Sequence, residues 1–85
     1  MTDEPSKNIQ VEFFAAYRDA TGTGSLQMKT TADSADALFS ELQRRFPALE
    51  AYAARKLAIN DELKPWSSPI ADGDRVLFFP PVAGG

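Results

Sequence analysis

The sequence predicts an α+β fold, a mixed sheet in the order β-β-α-β-β with one main helix on one face and an extended C-terminal tail. Three observations carry it. Two segments near the start alternate with period two, one segment in the middle repeats with helical spacing, and a run of β-formers near the end halts at two prolines.

Residues 9–17 place Ile9, Val11, Phe13 and Ala15 on one side and Gln10, Glu12, Phe14 and Ala16 on the other, the alternation of a half-buried strand. Phe14 is the apolar exception on the polar side. Thr21, Gly22, Thr23 and Gly24 supply turn residues, and Ser25–Thr30 alternates again, with Leu26 and Met28 opposite Gln27 and Lys29. These segments read together as an N-terminal hairpin.

Asp33 or Ser34 is placed to cap a helix in which Ala35, Leu38, Leu42 and Phe46 recur at spacings of three and four. Asp36 in its first turn and Arg44 and Arg45 in its last suit the helix dipole, and Pro47 disfavours helical geometry at Phe46. Leu57, Ala58 and Ile59 then suggest a brief strand, Asn60 and Asp61 a turn, and residues 63–71 an irregular connection. Asp72, Gly73 and Asp74 form a strong turn signal before Arg75–Phe79, a final strand rich in β-formers. A helix covering one face, with the last strand parallel to the first through a right-handed crossover, is the ubiquitin-like β-grasp arrangement.

With 85 residues, the chain has room for one domain with a thin core. Its boundaries are expected at residues 1–79, with 1–8 as a disordered leader, and the tail occupies residues 80–85. Hydrophobic residues at 44% and charged residues at 25% are ordinary globular usage. The absence of cysteine and histidine removes disulfides, thiolate chemistry and the commonest metal ligand and general base, so no metal site, bound cofactor or independent enzyme activity is expected. A net charge of -3 argues against a nucleic-acid partner and for positive surfaces on any partner that charge guides. Without an apolar run of signal or transmembrane type, the expectation is a cytoplasmic protein that leaves membranes alone.

Pro80 and Pro81 lack amide hydrogens, so the ladder is expected to stop at Phe79 and the chain to leave the domain there. At roughly 3.3 Å per extended residue, residues 80–85 reach about 20 Å. Gly84 and Gly85 carry no side chains, which lets a narrow channel close on the backbone beside the terminal carboxylate.

The run Phe78, Phe79, Pro80, Pro81, Val82, Ala83, Gly84, Gly85 closely resembles the C-terminal signature of the small subunits of molybdopterin synthase, in the sulfur-carrier branch of ubiquitin-like proteins. Val11, Glu12, Phe13, Phe14 and Ala15 followed by Arg18, then Ala58, Ile59 and Asn60, and residues 69–74 resemble other segments of that family. The resemblance implies that an ATP-using, E1-like activating enzyme adenylates the Gly85 carboxylate, after which a sulfur donor makes it a thiocarboxylate. It further implies that the loaded tail enters a large subunit holding cyclic pyranopterin monophosphate and delivers sulfur for the dithiolene, within a heterotetramer of two large and two small subunits.

Alternation places Phe14, Leu77 and Phe79 on the outer face, and Leu63 is expected to join them as an apolar patch beside the tail. With Pro80, Pro81, Val82 and Ala83 these are the expected partner-binding residues. Trp66 is read as packing over a core edge, and Asp72 and Asp74 as turn residues. The competing readings are a sulfur carrier for thiamine, tRNA thiolation or amino-acid synthesis, a protein-conjugating tag, and a β-grasp interaction module that is never thiolated.

Overall fold

The computed structural model describes residues 6–14, 16–51 and 56–79. Five strands form one sheet: β1 (Lys7–Phe13), β2 (Ser25–Thr30), β3 (Lys56–Ile59), β4 (Glu62–Leu63) and β5 (Arg75–Phe79), in the spatial order β2-β1-β5-β3-β4. β1 pairs antiparallel with β2 and parallel with β5, and β5 pairs antiparallel with β3. The first and last strands are thus neighbours in the middle of the sheet, as the β-grasp reading requires.

The main helix, α2 (Ala35–Arg45), starts where Ser34 accepts a hydrogen bond from the Ala37 amide at 3.2 Å. Of the two candidate caps, it is therefore Ser34 that serves. The helix ends at Phe46, whose amide still donates to the Leu42 carbonyl at 2.7 Å before Pro47 opens a 3₁₀ turn, Pro47–Ala51. Ala35, Leu38, Phe39 and Leu42 form its buried face. They pack on the inward residues of the sheet, Ile9, Val11 and Phe13 from β1, Leu57 and Ile59 from β3, and Val76 and Phe78 from β5.

Aromatic rings concentrate in this core. Phe39 lies 5.0 Å from Phe78 between ring centroids, and Phe78 lies 6.5 Å from Phe13. Trp66 covers the edge of this cluster, stacked on Phe78 at 5.7 Å and edge-on to Phe39 at 5.4 Å. Its expected place as a loop residue over the core edge is the one observed.

Four details differ from the sequence expectations. The first strand does not run to Tyr17; it ends at Phe13, and a short helix, α1 (Ala16–Thr21), replaces the hairpin turn. This helix buries Tyr17 completely and closes at Gly22, whose φ of 77° suits a residue without Cβ and whose amide donates to the Arg18 carbonyl at 2.8 Å. β1 also begins earlier than expected, because Lys7 and Asn8, assigned to a leader, pair with Thr30 and Lys29. The stretch from Leu63 is not wholly irregular, since Leu63 belongs to β4 and pairs with Ala58 across a tight turn in which Asn60 and Asp61 both have positive φ. Finally, the 3₁₀ turn after α2 buries Leu49, which the helical spacing had no reason to include.

Among the described residues no helix is long and apolar enough to cross a membrane. The tail residues Pro80, Pro81, Val82, Ala83, Gly84 and Gly85 lie outside the described residues, as do residues 1–5.

Two substitutions test this account of the fold. Ser34→Ala removes the cap and should cost about 1 kcal/mol, read as a fall of about 4–8 °C in the thermal midpoint for a domain of this size. Phe39→Ala empties the centre of the aromatic cluster and should cost about 3–5 kcal/mol. Thermal denaturation followed by circular dichroism measures both, and equal midpoints for the two variants would contradict the packing described.

Candidate functional site

The candidate site is the outer face of the sheet at the end where β5 leads into the tail. Its geometry follows from how β5 is held at its start. The Asn8 amide donates to Asp72 Oδ1 at 2.6 Å, and the Gly73 amide donates to the Asn8 carbonyl at 2.7 Å. The Ala71 amide donates to Asp74 Oδ2 at 2.8 Å, and Asn60 Nδ2 donates to Asp74 Oδ1 at 2.9 Å. Asn60 Oδ1 in turn accepts from the Arg75 amide at 3.0 Å. Asp72 and Asp74 are turn residues, as expected, and the register of β5 is set against β1 and β3 before the strand begins.

Because side chains alternate along each strand, this register decides what reaches the outer face. One cross-strand row runs Leu63, Ala58, Leu77, Glu12, Ser25 from β4 to β2. The next row toward the tail holds Lys56 opposite Phe79. Phe14 follows Glu12 and Phe13 directly, its amide donating to the Phe78 carbonyl at 3.3 Å, which sets it beside the end of β5. The rows at the far end carry Gln10 opposite Gln27 and Asn8 opposite Lys29. The outer face therefore grades from polar to apolar in the direction of the tail.

Phe14 is 49% exposed and Leu63 is 67% exposed, the two large apolar side chains most open to solvent among the described residues. Leu77, in the row of Leu63, is half-buried. Phe79 is the last residue of β5 and pairs with Lys56, and its side chain lies outside the described residues. Ala58 is a residue the sequence reading did not select. It is buried yet stands apart from the core cluster, so it floors the outer face between Leu63 and Leu77. Its signal was available in the alternation of Leu57, Ala58 and Ile59, where the middle residue must face away from its neighbours.

Beside this strip, Lys56, Leu57, Leu63, Lys64, Pro65 and Trp66 line a shallow groove of about 340 Å³. Among the described residues no group of three or more His, Cys, Asp or Glu is assembled to hold a metal ion. The Arg75 guanidinium is bound by Asp61, and Lys64 Nζ lies 3.3 Å from Glu62. What the described face presents is an apolar strip alongside the strand that leads to residues 80–85.

The ThiS family matches residues 11–85. The molybdopterin synthase sulfur carrier subunit of Escherichia coli is 35% identical over 80 residues, 91% of this chain and 99% of that protein. The protein of the same description from Mycobacterium tuberculosis is 33% identical over 81 residues, 91% of this chain and 96% of its own. Among solved structures, the complex of subunits 1 and 2 of molybdopterin-converting factor from Helicobacter pylori contains a chain that superposes with a TM-score of 0.66 at 28% identity, covering 92% of this chain and 99% of that one. SAMP1 from Haloferax volcanii shares the fold, with a TM-score of 0.79 at 24% identity over 92% of this chain and 99% of its own. With the family matched from Val11 through Gly85, and relatives a third identical over almost their whole length, the chain belongs to the ThiS family and is a homologue of the molybdopterin synthase sulfur carrier subunits.

Proposed function

We propose that this chain is the sulfur carrier subunit of a molybdopterin synthase, with the Gly85 carboxylate as its reacting group. The observation that carries the reading is a family match that continues through Gly84 and Gly85 in a chain whose relatives are sulfur carriers. An apolar face grading toward the exit of β5 supports it, since a delivered tail needs a docking surface next to it.

A carboxylate with a reference pKa of about 3.3–3.7 is ionised at neutral pH and resists nucleophiles, so activation comes first. An E1-like partner joins the Gly85 carboxylate to the α-phosphate of ATP and releases pyrophosphate. A sulfide equivalent then displaces AMP and leaves a thiocarboxylate. In the synthase large subunit the thiocarboxylate sulfur bonds to a carbon of the bound pyranopterin and displaces an oxygen substituent there; water then cleaves the acyl–sulfur bond, leaving the sulfur on the pterin and returning Gly85 to a carboxylate. Two such deliveries complete a dithiolene. Acid–base groups belong to the partners in this scheme, while Gly84 and Gly85 keep the reacting carbon free of neighbouring side chains.

Phe14, Leu63, Leu77 and Phe79 are assigned to docking, Pro80, Pro81, Val82 and Ala83 to passage of the tail into the partner's site. The large subunit and the activating enzyme are the partners, in a heterotetramer of two large and two small subunits located in the cytoplasm. The domain spans residues 1–79 and the tail residues 80–85.

Intact mass after incubation with ATP, sulfide and the activating enzyme of the same cell tests the chemistry. The expected result is a gain equal to exchange of one oxygen for sulfur in the full chain and none in a chain lacking Gly85. No gain with an enzyme competent on another carrier would leave a β-grasp binding module as the reading. Replacing Phe14 and Leu63 together by Asp should change folding stability by only about 0.5 kcal/mol per exposed site. Affinity for the large subunit should fall about 30-fold or more, as for loss of a central apolar anchor. Calorimetry of the purified pair reads the affinity, and unchanged binding would remove both residues from the interface.

A further inference from the structure

Beside the apolar strip stand two charges that join no ion pair among the described residues. Glu12 stands in the same row as Leu77, Ala58 and Leu63, half-buried, at the β1 flank of the apolar strip. Its carboxylate accepts from Gln10 Nε2 at 3.1 Å, and it joins no ion pair among the described residues. The nearest cation by register is Arg75, paired to Gln10 one alternation away, but Asp61 holds its guanidinium. Lys56 stands at the opposite flank, exposed, opposite Phe79, and likewise joins no ion pair among the described residues. The neighbouring lysine of the groove, Lys64, is engaged by Glu62.

Glu12 and Lys56 belong to strands on either side of β5, about 10 Å apart at the spacing of sheet strands and offset along them. They flank the strip instead of neutralising each other. In water both are cheap, because each is hydrated. When a second protein covers the strip, a carboxylate sealed against apolar surface without a cation is strongly unfavourable. A surface that covers this face must therefore bring a base to the β1 flank, and one that brings an acid to the β3 flank gains from Lys56.

We propose that Glu12 and Lys56 are the orientation-setting pair of the docking face, and that the partner surface covering the strip presents a guanidinium or ammonium group to Glu12 and a carboxylate to Lys56. This rests on the docking role assigned to the face above, and it adds the partner's charge pattern. An apolar strip alone admits docking in more than one direction; opposite charges at its two flanks admit one, because reversal sets like charges together. The net negative charge of the chain does not supply this information, since it has no direction on the face.

The test is binding of Glu12→Gln, Glu12→Lys and Lys56→Glu chains to the purified large subunit at low and high salt, beside the wild-type chain. Glu12→Lys and Lys56→Glu should each weaken binding about tenfold at low salt. Glu12→Gln, which keeps the side-chain shape and guards against misfolding, should weaken it less and flatten the salt dependence. Thermal midpoints should stay within a few degrees of wild type, placing the effect in the interface. Wild-type affinity and salt response in both charge reversals would overturn the inference while leaving the apolar docking role intact. A wild-type chain that becomes thiolated yet fails to bind the large subunit would overturn the assignment of partner, and this inference with it.

Discussion

The parallel pairing of β1 with β5 is the constraint from which the rest of the molecule follows. It joins the two ends of the described chain at the centre of the sheet, with Val11 beside Val76 and Phe13 beside Phe78. Every residue between them must then be accommodated as a crossover, and α2 fills that role by laying Leu38, Phe39 and Leu42 on the inner face. Parallel strands cannot be closed by a tight turn, so the helix is a topological requirement as much as a source of buried area. The turn at Asp72, Gly73 and Asp74 fixes the register of the pairing from its first residue, and a one-residue slip would exchange the contents of the two faces.

That exchange shows how one strand serves two purposes. Val76 and Phe78 are fully buried against the helix, while Arg75 and Leu77 take the opposite side. The inner residues hold the domain together, and the outer ones take no part in that core. The polar side of the face is tied internally, with Gln10 donating to Glu12 and Arg75 held by Asp61. The apolar side has no cover from within the described chain at Phe14 and Leu63. The short β4 completes this arrangement by bringing Leu63 into the row of Leu77, which no loop of undefined path would do reliably.

The fold class was legible because the strongest local signals, the alternation of β1, β2 and β5 and the spacing of α2, coincide with the elements that dominate the core. The errors fell where two periods agree. Phe13, Tyr17 and Ala20 are separated by four and three residues, a helical spacing, while Phe13, Ala15 and Tyr17 alternate with period two. Either conformation buries Tyr17, so burial alone did not decide between them, and the end of the helix at Gly22 looked like a hairpin turn. Phe39 was missed as a core residue because the selected spacing passed through Leu38, although it is also four residues from Ala35. At the candidate site, Phe14 was identifiable as an apolar residue in outward register, whereas Leu63 was selected from a stretch read as irregular connection and gained its register only from β4. Alternation alone turns Ala58 and Glu12 outward, but their meeting in one row with Leu63 and Leu77 depended on knowing which strands are neighbours, and that is information a single strand does not contain.

The stack of Trp66 on Phe78 has a practical consequence. The chain contains a single tryptophan, and its indole sits against the inner side of the strand that continues into the tail. Its emission is therefore an intrinsic optical reporter of how well β5 is seated between sheet and helix. Reading that signal requires no label, and so adds no bulk to the outer face or the tail.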